Sequence, residues 1–115
     1  MSSNLDNMEP FFSVSTIRIK PGKAAEVHAC LAEVAKETLE KEPGAKIYRY
    51  YKTEGKDEFV CIEKFTSRDA YKHHTSSDHV KRWAEKYLYS GLFDSVFEFH
   101  PLNTGELPPG GFDRE

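Results

Sequence analysis

The run His73-His74-Thr75-Ser76-Ser77-Asp78-His79 holds the densest group of ionisable side chains in the sequence. An imidazole transfers protons near neutral pH and also binds metal ions. The middle of the run predicts a helix break, because serine and aspartate are residue types that begin a new helix. This break separates His74 from His79, and no pair of these histidines has the spacing of one helical turn. The sequence therefore predicts no metal site.

Tyr71 and His74 are three residues apart, so they share one face of a helix. A phenol and an imidazole at this spacing can hydrogen-bond one substrate oxygen or move a proton. The alternative is structural, with Tyr71 filling the seam between helix and sheet and His74 bonded to a backbone carbonyl. His73 falls on another face, where we expect it in solvent.

Glu63 lies within an apolar strand, on the same side as Cys61 and Phe65. A carboxylate on an apolar face is unfavourable unless it is paired. One interpretation pairs it with Arg49 or Lys64, as an ion pair in a dimer interface. The other places it at the rim of a cavity, where a raised pKa makes it a candidate base.

Other aromatic side chains are candidates for substrate contact. Trp83 lies on an apolar helix stripe and is expected in the core, but its indole N–H needs a partner that a pocket can supply. Tyr48 and Tyr50 are interpreted as pocket wall or as interface packing.

The elements that position these residues follow from changes in hydrophobic periodicity. The predicted elements are a strand over 11–19, a helix over 23–42, strands over 45–52 and 58–65, a helix broken near 76–78, and a strand over 92–100. This β-α-β-β-α-β order predicts an α+β, ferredoxin-like fold with helices on one face of an antiparallel sheet. Residues 1–10 are interpreted as a flexible lead-in, 11–101 as the domain and 102–115 as a tail rich in proline and glycine.

Both faces of the predicted sheet carry apolar side chains. Phe12 and Val14 point away from Ile17 and Ile19, and Val60 and Ile62 point away from Phe59. Two helices cover only one face. We therefore predict that the other face packs against a second copy of the sheet in a symmetric homodimer.

Composition excludes several classes of function. A chain of 115 residues makes one domain, and a net charge of −3 gives no basic field for nucleic acid. No run of about 18 apolar residues predicts a membrane span. The polar N-terminus does not resemble a signal peptide, and the two cysteines form no disulfide framework, so we expect a cytoplasmic protein.

The order of short motifs resembles the antibiotic biosynthesis monooxygenase (ABM) domain family of the dimeric α/β-barrel superfamily. The resemblance covers about residues 12–100. The motifs are Glu42-Pro43-Gly44, Tyr48, Phe59-Val60-Cys61-Ile62-Glu63-Lys64-Phe65, Ala70-Tyr71 and His74-x-x-Ser77-x-His79.

This resemblance implies a homodimer with a pocket between sheet and helices in each subunit. It also implies a cofactor-independent monooxygenase that uses dioxygen on a small apolar quinol, phenol or related secondary metabolite. His74 matches a histidine that is common in quinol-oxygenase-like members and is the first candidate for proton transfer, and Tyr71 falls at the position of a pocket tyrosine. Together with the residues described above, this gives His74, Tyr71 and Glu63 as the candidate catalytic residues. The candidate substrate contacts are Tyr48, Tyr50, Phe65, His79 and Trp83.

The same resemblance leaves other functions open. An isomerase of a small carbonyl or phosphorylated metabolite shares the His-x-x-Ser-x-His run, and a non-catalytic dimer that binds a small ligand is a different class. Haem degradation is disfavoured, because the iron-binding histidine of that branch falls near Ala84, which offers no ligand atom.

Overall fold

The computed structural model describes residues 10–102, 107 and 109–114, apart from the side chains of residues 95 and 96. Its elements are β1 (Phe11–Ile19), α1 (Ala24–Lys41), β2 (Ala45–Lys52), β3 (Glu58–Phe65), α2 (Arg68–Ser76), α3 (Asp78–Tyr87) and β4 (Phe93–Leu102). This order confirms the predicted one, with β4 continuing past its expected end. The lead-in before Pro10 and residues 103–106, 108 and 115 of the predicted tail lie outside the described residues.

The four strands form one antiparallel sheet in the order β2-β3-β1-β4. The two central strands, β1 and β3, are hydrogen-bonded to each other. Each is the first strand of one β-α-β half of the chain. The helices pack on one face, which confirms the ferredoxin-like fold. The main core joins Ile17, Ile19 and Phe59 of the sheet to α1.

The buried side of α1 repeats with helical spacing. Its buried residues are Val27, Cys30, Leu31, Val34 and Thr38. Leu39, although apolar, is 81% exposed. The helix turns about 100° per residue, so when Thr38 faces the core its neighbour points to solvent.

Helices α2 and α3 meet at a sharp break. The Ser67 hydroxyl begins α2 by accepting a hydrogen bond from the Ala70 N–H at 3.1 Å. Ser77 has extended backbone angles between the two helices, and its hydroxyl donates to the His74 carbonyl at 2.7 Å. The break lies where the sequence predicts it, near 76–78, and it turns α3, which begins at Asp78, back toward the end of α1.

Gly44 allows a close approach between the start of β2 and the start of α2. A Cβ atom at this position would lie 3.1 Å from both the Ala70 Cβ and the Thr66 Oγ1. The glycine therefore allows the start of β2 and the start of α2 to lie this close, and a side chain at this position would crowd both neighbours.

No helix among the described residues combines the length and the apolar character needed to cross a bilayer.

Candidate active site

A strip of polar side chains crosses the helix-facing side of the sheet. Two neighbouring cross-strand rows form it: Tyr48, Glu63 and Ser13 in one, and Tyr50, Cys61 and Ser15 in the other. Ile17 and Phe59 are buried beyond one side of the strip, and Phe11 and Phe65 beyond the other. The strip therefore places polar groups between two apolar ends.

Two polar atoms of this strip have no hydrogen-bond partner among the described residues. They are Oε1 of Glu63 and Oγ of Ser13, both fully buried, on residues that face each other across β3 and β1. Burial, with a smaller contribution from the Glu42 carboxylate, raises the pKa of Glu63 to about 7. Buried polar atoms without partners are uncommon and often mark a functional site.

The predicted ion pair of Glu63 with Arg49 or Lys64 is wrong. Arg49 pairs with Ile62 in the register, and Lys64 lies 5.4 Å from the Phe12 ring centroid. Both belong to the outer face of the sheet, because side chains alternate along a strand. Glu63 faces the helices, so these two cations cannot reach it.

Aromatic rings border the polar strip on the side of β4. The Tyr71 ring stacks on Phe11 and Phe99, with centroid distances of 4.5 and 5.5 Å, and meets Phe65 edge-on at 5.4 Å. Burial raises the pKa of Tyr71 to about 12, and burial also raises the pKa of Tyr48. Both phenols therefore stay neutral near pH 7 and can donate a hydrogen bond.

The helices leave the β4 side of this face open. Phe97 and Phe99 point to the helix side of the sheet, opposite Ile17 and Ser15, yet they are 46% and 43% exposed. The half-exposed ring of Phe99, stacked on Tyr71, therefore offers an apolar surface that solvent and small molecules can reach.

A second cluster lies where three helix ends meet, and it joins Glu42, His74 and His79. Oε2 of Glu42 is 2.8 Å from Nδ1 of His74 and 2.5 Å from Nε2 of His79. All three side chains are buried, with exposed fractions of 4–6%. The helix break was expected to separate the two histidines. It instead folds α3 back, so that both reach one carboxylate.

The hydrogen bonds of this cluster determine the positions of its protons. A carboxylate oxygen only accepts, so Nδ1 of His74 and Nε2 of His79 both carry hydrogen. Desolvation lowers the pKa of His74, although its hydrogen bond to Glu42 opposes that shift. The remaining nitrogen of His74 points away from Glu42, on a ring packed against Tyr48 and Phe65 at centroid distances of 5.4 and 5.2 Å.

The same three side chains are a donor set that zinc and other divalent transition metals take. Their ligand atoms lie within 4.8 Å of one another. A groove of about 410 Å³, open to solvent, reaches Glu42 and His79 past Ser77 and Asp78. Among the described residues, this is the group that fits a metal ion.

The other sequence-predicted residues divide between site and core. Phe65 is fully buried beneath Tyr71 and His74. Tyr50 packs against Phe59 and His28 on the core side of the strip. The Trp83 indole N–H donates to the Cys30 carbonyl at 2.8 Å, so a backbone carbonyl supplies the partner that this group needs.

His74, Tyr71, Glu63 and Tyr48 thus gather around one region, with His79 behind His74. His73 is exposed, as expected. His74 bonds the Glu42 carboxylate rather than a backbone carbonyl. Sequence reasoning missed Glu42 and Ser13. One signal was present, because an acidic residue at a helix C-terminus is unfavourable to the helix dipole and needs a compensating cause.

Comparison with known proteins gives the family. Residues 10–86 match the family model described as "Antibiotic biosynthesis monooxygenase". None of the curated proteins matches the chain.

Solved structures with the same fold come from bacteria and an archaeon. A candidate antibiotic biosynthesis monooxygenase from Caulobacter crescentus has a TM-score of 0.77 at 24% identity, covering 88% of this chain and 94% of that one. A conserved Methanosarcina mazei protein has a TM-score of 0.71 at 25% identity, covering 86% and 96%. A candidate antibiotic biosynthesis monooxygenase from Bacteroides thetaiotaomicron has a TM-score of 0.70 at 22% identity, covering 91% and 96%.

The family model spans the polar strip, both histidines and Glu42, and the fold agrees with that of these structures along nearly their whole length. The chain therefore belongs to the antibiotic biosynthesis monooxygenase family.

Proposed function

We propose that the protein is a cofactor-independent monooxygenase that oxidises a small apolar quinol or phenol-like metabolite with dioxygen. The observation that carries this proposal is the buried, unpartnered Oε1 of Glu63, on the residue that pairs across β3 and β1 with Ser13, whose hydroxyl is also buried without a partner among the described residues. A substrate hydroxyl placed between them would satisfy both atoms. Family membership supports the same reaction class.

Glu63 is the proposed base. With a pKa of about 7, it is partly ionised at neutral pH and can accept a proton from a substrate hydroxyl. The resulting anion is electron-rich enough to react with dioxygen. Tyr71 and Tyr48 remain protonated and donate hydrogen bonds to the charged oxygen, which stabilises the anion.

The overall reaction balances without another reductant. A ring carbon of the quinol anion bonds to one oxygen atom of dioxygen, and the O–O bond then breaks. One oxygen atom stays on the ring and the other leaves as water. The quinol supplies the electrons for that water as it becomes a ring-hydroxylated quinone.

The aromatic wall supports an apolar ring as the substrate. Tyr71 and Phe99 stack with an interplanar angle of 13°, and Phe99 keeps one side open to solvent. A planar ring can stack on this wall with its hydroxyl directed toward Glu63. His74 packs behind Tyr71, at a centroid distance of 6.4 Å, as the second group proposed for proton transfer.

The test is oxygen consumption with a panel of quinols and phenols in isotopically labelled dioxygen. We expect one labelled oxygen atom in the product. Glu63→Gln should lower the rate by about 10²–10⁴-fold, because the amide cannot act as a base. Glu54→Gln, in the exposed β2–β3 loop, is the matched control and should keep the wild-type rate.

Three outcomes would contradict the proposal. Equal rates in the wild type and Glu63→Gln would remove Glu63 from the mechanism. Tight binding of quinols without oxygen uptake would instead favour the ligand-binding dimer, and conversion without label would favour an isomerase.

A reducing compartment such as the cytoplasm suits the free thiols of Cys30 and Cys61.

A further inference from the structure

We infer that Glu42, His74 and His79 form a binding site for one divalent transition-metal ion of the zinc class. This site is separate from the proposed base Glu63 but shares His74 with the proposed proton transfer, and the binding of an ion does not depend on the proposed oxidation. Three different elements supply its ligands: the C-terminal cap of α1, the last turn of α2 and the first turn of α3.

The donor atoms already converge. Both imidazole nitrogens approach the same oxygen of Glu42, and the three ligand atoms lie within 4.8 Å of one another. In tetrahedral zinc sites, bonds of about 2.0–2.2 Å place ligand atoms roughly 3.4 Å apart. The observed separations from the shared oxygen are 2.8 and 2.5 Å, so small side-chain rotations would admit an ion.

The local charge favours a cation. Glu42 is buried with no lysine or arginine among its described hydrogen-bond and ion-pair partners. It caps the C-terminus of α1, and His74 lies in the last turn of α2. Two helix C-termini therefore direct their negative ends toward a buried carboxylate, and the N-terminus of α3 directs one positive end there, so an excess of negative charge remains that a metal ion would neutralise.

The cluster also has an entry path and room for a further ligand. The groove that reaches Glu42 and His79 is open to solvent, and Ser77 and Asp78 line it. A water molecule in this groove can complete the coordination, as in zinc sites with three protein ligands.

An occupied site and the Glu42–His74 hydrogen bond exclude each other. A metal on Nδ1 of His74 displaces the hydrogen on that atom, so the ring must carry its hydrogen on Nε2 instead. In the metal-free protein, Nε2 of His74 can accept a hydrogen bond on the side of Tyr48 and Phe65. With a metal ion on Nδ1, the same Nε2 atom would instead donate one.

The experiment titrates the chelator-treated full chain with Co²⁺ and Zn²⁺. We expect one Co²⁺ per chain, with the strong visible absorption of a four-coordinate site, and displacement of Co²⁺ by Zn²⁺. Glu42→Gln and His79→Ala should weaken binding at least about 100-fold, since even outer partners of metal ligands contribute about 10–100-fold. His73→Ala, an exposed neighbour in the same groove, should bind as the wild type does.

A measurement on the wild type alone guards against variants that do not fold. Imidazole ¹⁵N signals of His74 and His79 should shift together on addition of Zn²⁺, at Nδ1 and Nε2 respectively. The inference is overturned if the wild type takes up no Co²⁺. It is equally overturned if His73→Ala abolishes binding while Glu42→Gln does not, or if only exposed histidines shift.

Discussion

Individual residues in this protein are placed where burial changes their chemistry. Glu63 stands out, because its folded pKa of about 7 lies well above its ordinary value of 4.5. Between these two values the folded state binds more protons at Glu63 than the unfolded chain does, so the contribution of Glu63 to stability is fully present below pH 4.5 and is lost as the pH rises through 7.

We expect this single group to lower the free energy of unfolding by about 3 kcal/mol between those pH values. Urea denaturation at several pH values measures it. In Glu63→Gln this contribution should vanish, so the variant should gain stability over the wild type as the pH rises. If the free energies of unfolding of the wild type and Glu63→Gln differed by the same amount at every pH, the raised pKa of Glu63 would be contradicted.

Ser13 gives a second prediction at this scale. Its hydroxyl is buried without a partner among the described residues, and such a group destabilises the fold by about 1–3 kcal/mol. Ser13→Ala should therefore leave thermal stability unchanged or raise it, whereas most buried polar substitutions lower it. The same variant should weaken binding of a quinol, if that hydroxyl contacts the substrate. Marked destabilisation would show that Ser13 has a partner in solution.

At the scale of elements, the junction of α2 and α3 positions the chemistry. Ser67 starts α2, and the break at Ser77 brings His79 back to Glu42. Ser67→Ala should cost about 1 kcal/mol of stability, because the Ala70 N–H loses its acceptor. Denaturant midpoints test this, with Ser76→Ala at the exposed end of α2 as the control. Equal midpoints for both variants would show that the cap contributes little.

For the whole molecule, the outer face of the sheet is the feature that remains uncovered. Ile47, Ile62 and Leu102 on this face are 38%, 39% and 45% exposed, and Tyr51 is 53% exposed. Across the paired strands, Leu102 lies opposite Phe12, Ile62 opposite Val14 and Tyr51 opposite Val60. We propose that a second copy of the chain covers this face, because so many exposed apolar side chains on one sheet face are unusual on a monomer.

Sedimentation of Ile62→Lys tests the dimer. A lysine in the centre of this face should shift the protein from dimer to monomer, since its charge would be buried without a partner. Leu39→Lys is the control, because Leu39 is 81% exposed on α1, away from the sheet. A wild-type protein that sediments as a monomer at micromolar concentration would end the dimer proposal.

The sequence by itself determined the order of elements, their approximate ends and the sidedness of the strands. Those features depend on local periodicity, turn residues and caps, which neighbouring residues encode. It also placed Glu63 correctly on the face of Phe59 and Phe65. It could not choose the partner of Glu63, because that choice depends on which face the helices cover.

Only the tertiary structure brought Glu42 to His74 and His79, residues that lie 32 and 37 positions further along the chain. It likewise showed that the Trp83 indole is bonded to Cys30 and that Ser13 faces Glu63 without a bond. The physical reason is the same in each case. A strand register and the angle of a helix break are set by packing of distant segments, and no local pattern of residues records them.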